Sequence, residues 1–303
     1  MFDVEKIKQI IAPSDLPGLD GKNINGPTCI RVPSWCENQL AKYYLYFAHH
    51  SGKYIRMCYS NSLEGEWTHF DGGVLSLEDF NDANHHIASP EIYVNSKEKL
   101  IYLYFHSPSI SKNQQWTFLA ISKNGINFDT IIDRPLAPFY MRVFQYSGYI
   151  YGMVKGGSIW KSQNGTDEFK FVTNPFNPLL KDELWFNDPG SIRHVGLYLN
   201  DNRLHVFFSR IGDMPERIMH TSINLSNCAD KDWIVSNFLE VIRPDEEYEG
   251  AKLSLKASTA GAAHDPMNEL RDPYVIYDSN IFNLFYSVAG EQGIAISKFK
   301  DLP

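Results

Sequence analysis

The chain has 303 residues, of which 43% are hydrophobic and 14% aromatic, and its formal net charge is −8. This composition can bury a large core, whereas the acidic charge and the lack of a Lys/Arg cluster argue against nucleic acid as the main partner. The sequence has no apolar segment of membrane-spanning length, and its charged opening at residues 1–6 does not resemble a signal peptide. We therefore predict a cytoplasmic location and no membrane partner.

The four cysteines, Cys29, Cys36, Cys58 and Cys228, do not have the paired spacing of a metal site. Three of them lie in strand-like stretches near the start of the chain. Reduced, buried thiols are the expected state.

Five short aromatic runs recur along the chain, at residues 43–47, 101–105, 149–153, 204–208 and 282–286. Each run has the aromatic and branched residues that favour β-strands. Recurrence at intervals of this length is typical of propellers and other repeat architectures.

Each aromatic run belongs to a larger unit. A strand-like stretch and a polar turn precede the run, as in a hairpin, and a third strand that ends in Ser or another small residue follows it. A fourth, edge strand is expected to carry one aromatic residue in each of the first four units: Trp67, Phe128, Phe169 and Trp233. The pattern predicts an all-β fold, a five-bladed β-propeller with four antiparallel strands per blade, as one domain over residues 1–303.

The fifth unit ends near Pro303 after only three strands. An open blade would leave strand edges unpaired. We therefore expect the N-terminal stretch around Phe2 to Val4 to supply the fourth strand and close the ring.

A propeller brings the starts of its first strands and the ends of its second strands to one face. First-strand starts contribute Asn25, Ser89, Glu91, Tyr140, Arg142, Arg193, His194, Arg271 and Asp272. Second-strand ends contribute His49, His50, His106, Lys155, Ser209, Arg210 and Glu291. The loops between blades could add His85, His86, Asp188, Glu249, His264 and Asp265. Such a concentration of ionisable groups predicts a polar pocket at the axis.

Two strings within these strands resemble a known superfamily. Leu270-Arg271-Asp272-Pro273 followed by an apolar strand, and Ala88-Ser89-Pro90-Glu91, are similar to the blade openings of five-bladed glycoside hydrolases of families 32, 43, 68, 117 and 130. The string at residues 85–90 is also similar to that of bacterial family 43-like proteins of unknown specificity. The resemblance implies a propeller fold and a glycosidase-like activity in a pocket at the axis.

The chain departs from family 43 at the catalytic positions. That family has an Asp in blade one, a second Asp in blade three and a Glu in blade four. Here the corresponding residues are Asn25, then Tyr140 or Arg142, then His194. The family's catalytic carboxylates therefore cannot be carried over, and the resemblance implies a non-standard catalytic set.

Glycoside cleavage needs one group to protonate the leaving oxygen and another to act at the anomeric carbon. The predicted pocket offers four candidates for these roles: Glu91, Asp272, Glu291 and His194. Two of them also have a structural interpretation, because Glu91 could form a buried ion pair and Asp272 could bind backbone amides next to Pro273.

The remaining polar residues are candidate substrate ligands: Asn25, His49, His50, His86, Arg142, Arg193, Arg210, Glu249, His264 and Arg271. The arginines could bind an anionic group, which suggests an acidic sugar, or phosphate as in the family 130 phosphorylases. No cofactor or metal site is assigned, because no ligand spacing enforces one, although a divalent ion in the channel is left open. The carbohydrate substrate is the only partner predicted.

Two classes of function remain at this stage. The first is a glycosidase or, as a variant, a glycoside phosphorylase. The second is a glycan-binding propeller without catalysis. Carboxylates in differing environments would favour the enzyme, whereas carboxylates all held by arginines would favour binding alone.

Overall fold

The computed structural model describes residues 2–177, 190–226 and 229–303, and it confirms the five-bladed β-propeller. Blade 1 contains β2 (Asn25–Arg31), β3 (Tyr43–Ala48), β4 (Tyr54–Ser60) and β5 (Thr68–Ser76). Blade 2 contains β6 (Ala88–Asn95), β7 (Leu100–Ser109), β8 (Gln114–Ser122) and β9 (Phe128–Pro138). Blade 3 contains β10 (Arg142–Tyr146), β11 (Tyr149–Met153), β12 (Ile159–Ser162) and β13 (Lys170–Thr173). Blade 4 contains β14 (Ile192–Asn200), β15 (Arg203–Arg210), β16 (Ile218–Asn224) and β17 (Leu239–Ile242). Blade 5 contains β18 (Arg271–Asp278), β19 (Ile281–Ser287), β20 (Ile294–Phe299) and β1 (Glu5–Ile11).

The helices of the described residues are short 3-10 turns: Pro13–Asp15, Gly18–Gly21, Leu77–Asp79, Lys155–Gly157, Asp230–Asp232 and Glu247–Glu249. None of them has the length and hydrophobicity that a membrane-spanning helix requires. The described cysteines, Cys29, Cys36 and Cys58, are buried free thiols as expected, and Cys228 lies outside the described residues.

The N-terminal strand closes the ring, as the sequence predicted. β1 pairs antiparallel with β20, from Glu5 opposite Lys298 to Ile11 opposite Ile294. The strand follows directly after the predicted segment, and Phe2 packs edge-on against Phe299 with a centroid distance of 5.3 Å. The two ends of the chain therefore complete one sheet and remove an unpaired edge.

The aromatic runs form the second strand of each blade and lie almost entirely inside the core. Two of their tyrosines also connect neighbouring blades. The Tyr46 hydroxyl donates to the Gly125 carbonyl at 2.7 Å, and the Tyr104 hydroxyl donates to the Gly165 carbonyl at 2.9 Å. Both glycines have positive φ, 76° and 81°, and each follows an asparagine in the turn between the third and fourth strands of its blade. Each turn therefore also provides a contact between blades.

The fourth-strand aromatics follow the prediction in three blades. Phe128 begins β9, while Trp67 and Phe169 come directly before β5 and β13. The prediction is wrong for Trp233, which lies in the connection before β17. Its ring is buried against Tyr151 of blade 3, with a centroid distance of 5.2 Å, so packing between blades determines its place.

The first strands of four blades begin with an irregular, bulge-like pairing, which changes the direction in which the side chains point. The register shifts lie between Asn25 and Thr28, Ala88 and Glu91, Ile192 and Val195, and Arg271 and Tyr274. Within three of these shifts, and just before β10 in blade 3, one residue has positive φ: Gly26 (63°), Ser89 (47°), Asp272 (52°) and Tyr140 (57°). Proline follows the first three of these residues and restricts the backbone next to the irregular residue.

Gly165→Ala should destabilise the protein more than Gly148→Ala. Both glycines have φ near 80°, where alanine costs about 1 kcal/mol. A Cβ on Gly165 would lie 2.6 Å from the Tyr104 hydroxyl, whereas at Gly148 no atom lies within 4 Å. Losing that buried hydrogen bond should add roughly 1–3 kcal/mol, measured as the free energy of unfolding in urea. Equal losses in the two variants would show that the contact between blades contributes nothing.

Candidate active site

The guanidinium group of Arg142, from blade 3, contacts all four other blades and therefore lies at the axis of the propeller. Its hydrogen bonds go to the other blades: Pro27 O at 3.0 Å, Pro90 O and Glu91 Oε2 at 2.8 Å, and Val195 O at 3.1 Å. The guanidinium also lies 5.3 Å from the ring centroid of Tyr274 in blade 5. One buried side chain therefore contacts blades 1, 2, 4 and 5 from its own position in blade 3.

Glu91 is the charged partner of this group. Its second carboxylate oxygen accepts the Val143 N–H at 3.0 Å. Burial raises the pKa of Glu91 despite the opposing charge of Arg142. Both oxygens of Glu91 are thus engaged by blade 3, and the Arg142 donors have acceptors within the protein. This is the geometry of the buried ion pair that the sequence left as an alternative.

Asp272 has a different environment from Glu91. One oxygen, Oδ2, accepts the Gly26 N–H at 3.0 Å and the Ser287 hydroxyl at 2.9 Å. The other, Oδ1, is in close contact with Nδ1 of His194. Burial by itself raises the pKa of Asp272, but His194 and the hydrogen bonds outweigh it and hold that pKa well below its usual range. Asp272 therefore remains ionised at neutral pH.

His194 completes a carboxylate–imidazole pair at the irregular start of β14. Burial lowers the pKa of His194 despite the opposing effect of Asp272. The Nε2 atom of the ring is buried and makes no hydrogen bond to the described residues. The Tyr140 ring packs against the imidazole with a centroid distance of 4.0 Å. Asp272 thus fixes one ring nitrogen and leaves the other available for chemistry.

Glu291 is held by several groups from blades 1 and 5. Oε1 accepts Nη1 of Arg271 at 3.0 Å. Oε2 accepts the side-chain amides of Asn23 at 2.5 Å and Asn25 at 3.3 Å, and it lies 3.7 Å from Nδ1 of His50. Burial raises the pKa of Glu291, but His50 and Arg271 lower it further, so the pKa is below its ordinary value.

Two more carboxylates, Glu216 and Glu269, hold the arginines of this layer. Arg193 Nε donates to Glu216 at 2.8 Å, and Arg271 Nε donates to Glu269 at 2.8 Å. Both arginines also donate to the Gly261 carbonyl, at 3.3 and 3.1 Å. The segment 258–264, called the wall segment below, is thereby fixed beside the site.

Glu216 and Glu269 are not among the site residues predicted from the sequence. Glu269 lies two residues before Arg271, and alternation along an extended chain places such residues on one face; this signal was available. Glu216 precedes β16 and meets Glu269 through an isolated bridge between distant segments. No local pattern marks it.

Two predicted substrate ligands have their charges bound by other groups of the protein. Glu249 accepts from Lys6 at 2.6 Å and from the Tyr286 hydroxyl at 2.9 Å, and its other bonds are to the amides of its own turn. It therefore anchors β1 rather than lining the site. Arg210 forms an ion pair with nearby Asp213 at 3.0 Å. The charge of each residue is therefore already paired within the protein, and their roles as substrate ligands stay predictions.

The two members of each histidine doublet, 49–50 and 85–86, have different surroundings. His85 is exposed, whereas His86 packs against buried His106 with a centroid distance of 5.7 Å. His50 faces Glu291, while His49 accepts the Ser51 N–H at 2.9 Å on its own loop. His264 is an exposed residue at the end of the wall segment.

The candidate Asp188 lies outside the described residues. Within the described ranges, no three His, Cys, Asp or Glu side chains are grouped closely enough to hold a metal ion.

Comparison with solved structures identifies the class of fold. A proposed glycoside hydrolase from Parabacteroides distasonis superimposes with a TM-score of 0.70 at 10% identity, covering 100% of this chain and 97% of that one. A glycosyl hydrolase from Bacteroides ovatus gives 0.67 at 9% identity, covering 99% and 94%. A family 43 β-xylosidase and α-arabinofuranosidase from a compost metagenome, solved with xylotriose, gives 0.61 at 12% identity, covering 98% and 94%. The fold is that of the five-bladed β-propeller glycoside hydrolases.

At the level of sequence, the relationship is to a viral protein. Uncharacterized protein R118 of Acanthamoeba polyphaga mimivirus is 36% identical over 297 residues, covering 90% of this chain and 82% of the viral protein. The chain belongs to the family of this protein. No protein-family model matches this chain.

Arg142→Met should destabilise the fold by about 3–5 kcal/mol, because it leaves Glu91 charged and unpaired in the core. Adding Glu91→Gln should recover part of this loss. The double variant should therefore lose less unfolding free energy than the sum of the losses in Arg142→Met and Glu91→Gln alone. Arg31→Met is the control, since its pair with Asp278 is largely exposed on the arginine side and should cost under about 1 kcal/mol. Urea unfolding measures all four variants, and equal losses for Arg142→Met and Arg31→Met would contradict the central role of Arg142.

Proposed function

We propose that this protein is a glycoside hydrolase that cleaves a glycosidic bond of an oligo- or polysaccharide at the axial site. The observation that carries the proposal is the Asp272–His194 pair. Among the described carboxylates of the site, Glu91, Glu216, Glu269 and Glu291 each pair with an arginine, whereas Asp272 pairs with an imidazole. An ionised carboxylate that orients a buried neutral imidazole is an arrangement suited to proton transfer. The glycosidase fold of the structural neighbours supports the same reaction class.

The roles follow from the geometry. Asp272 holds Nδ1 of His194, which leaves Nε2 to take a proton from the water that attacks the anomeric carbon. As the glycosidic bond breaks, the leaving oxygen takes its proton from a solvent water. Glu291 is ionised and held by Arg271 and Asn23, so it can stabilise the positive charge that develops on the sugar ring. Asp272 is then a positioning residue, and His194 and Glu291 act on the substrate.

Glu91 is the other predicted catalytic carboxylate, and its raised pKa would suit a proton donor. Its two oxygens, however, accept from Arg142 and from the Val143 N–H. A direct catalytic role for Glu91 therefore stays a prediction that the ion pair does not support. We instead assign Glu91 a structural role as the partner of Arg142 at the axis.

The suggestion of an acidic sugar rested on four arginines. Arg142, Arg193 and Arg271 donate to carboxylates and carbonyls of the protein, and Arg210 pairs with Asp213. The same contacts remove the arginine argument for phosphate as a co-substrate. Hydrolysis is accordingly favoured over phosphorolysis, and Asp272–His194 favours an enzyme over a propeller that only binds glycans.

Asp272→Asn should lower kcat by about 10²–10⁴-fold on any glycoside that the protein cleaves, because the amide cannot hold His194 in its reactive form. A panel of nitrophenyl glycosides provides the assay. Asp278→Asn is the matched control, since Asp278 ends the same strand and binds Arg31 and Tyr43 instead. It should retain full activity. Cleavage of no glycoside by the unaltered protein, or equal activity of Asp272→Asn, would reject the proposal.

The pH dependence of kcat/KM should report on His194. The base must be neutral, so activity should fall as the pH decreases through the pKa of His194, which burial places below the ordinary 6.5. Asp272 opposes this effect by raising that pKa, so Asp272→Asn should move the acid limb of its residual activity to still lower pH. A pH–rate profile of both proteins tests this, and an unmoved limb would show that another group titrates.

A further inference from the structure

Two imidazole rings that pack against Tyr140 each have a buried nitrogen without a hydrogen-bond partner. These are Nδ1 of His106 and Nε2 of His194, neither of which makes a hydrogen bond to the described residues. The imidazole centroids lie 4.4 Å and 4.0 Å from the Tyr140 centroid. His106 is only 2% exposed and comes from β7 of blade 2, so it is a second imidazole beside the proposed catalytic pair.

A buried polar atom without a partner costs roughly 1–3 kcal/mol, and such atoms in native proteins usually have a partner that is not part of the chain. The partner of His106 has to be compatible with the charge around it. The arginines of the site already have carboxylate partners: Arg142 binds Glu91, Arg193 binds Glu216, and Arg271 binds Glu269 and Glu291. None of these three guanidinium groups is left to neutralise an anionic ligand.

This pairing disfavours a carboxylated or phosphorylated sugar ring, because the negative charge of the ligand would be buried beside carboxylates without a counter-ion of its own. Burial also lowers the pKa of His106 and keeps the ring neutral, so that it would not offset a ligand's negative charge. A neutral imidazole nitrogen pairs well with a hydroxyl group, which both donates and accepts.

We propose that His106 is a substrate-binding residue, whose Nδ1 hydrogen-bonds a hydroxyl group of an uncharged sugar ring, and that His194 contacts the same sugar ring. The inference rests on the proposed function, since it names the class of sugar bound at that site. It also assigns His106 a role in specificity, because a sugar without the matching hydroxyl would leave the nitrogen unpaired.

Three substitutions at His106 separate hydrogen bonding from packing. His106→Asn keeps a polar atom close to the position of Nδ1, His106→Gln places one near Nε2, and His106→Phe keeps only the ring. His205→Phe is the matched control: His205 is equally buried, and it pairs with His220 at 3.0 Å in blade 4. An effect that comes only from lower protein stability should therefore appear in both His106→Phe and His205→Phe.

The measurement is thermal stabilisation by glucose, galactose, mannose, xylose and arabinose, compared with glucuronate, galacturonate and glucose 1-phosphate. At least one neutral sugar should raise the Tm of the unaltered protein, and the charged compounds should not. The affinity for that sugar should fall about tenfold in His106→Phe and His106→Gln, fall less in His106→Asn, and remain unchanged in His205→Phe.

Several outcomes would overturn the inference. Stabilisation only by the charged compounds, or by no sugar, would reject the uncharged ring, and unchanged affinity in His106→Phe would mean that Nδ1 holds only a structural water. The proposed hydrolysis is tested separately, by the cleavage of nitrophenyl glycosides. A protein that binds neutral sugars through His106 but cleaves no glycoside would refute the proposed function and leave this binding role intact.

Discussion

The arrangement of the whole propeller depends on the Arg142 guanidinium at its axis. A ring of five sheets has to be closed at its centre, where the first strands converge and their carbonyls would otherwise be buried without donors. Arg142 supplies donors to three of these carbonyls and to Glu91, and its flat face lies over Tyr274. Its planar, always charged group suits this position better than a lysine would, because several donors point in fixed directions. The layer that contains the candidate site lies next to this closure.

The same principle explains why most of the arginines bind the protein rather than a ligand. Arg193 and Arg271 link Glu216, Glu269 and Glu291 to the carbonyls of the wall segment, so that every guanidinium has acceptors. A buried charge without such partners would be costly. What remains for chemistry is the Asp272–His194 pair, because an imidazole can be buried neutral and still exchange a proton. The site thus combines a rigid charged frame with a small number of uncharged nitrogens.

Much of the fold was predictable because its determinants are local. The aromatic runs alternate with turns in the way that strands and hairpins require, and the Asn-Gly pairs at 124–125 and 164–165 mark their turns directly. Closure by the N-terminal strand followed from counting strands. Trp233 was misplaced because its position depends on packing against Tyr151 in another blade. Glu249 binds Lys6, on a segment whose proximity only the folded chain creates, whereas Arg210 pairs with Asp213, three residues further along the chain.

The sequence by itself determined the repeat, the number of blades and the set of ionisable residues at one face, because periodicity and turn chemistry act over a few residues. It also placed Asp272, His194 and Glu291 together in that set. Only the tertiary structure decided which charges neutralise one another: Glu91 with Arg142, Asp272 with His194, and Glu291 with Arg271. Electrostatic pairing falls off over a few ångströms and depends on burial. Partners that are distant in the sequence are therefore chosen by the geometry of the closed ring.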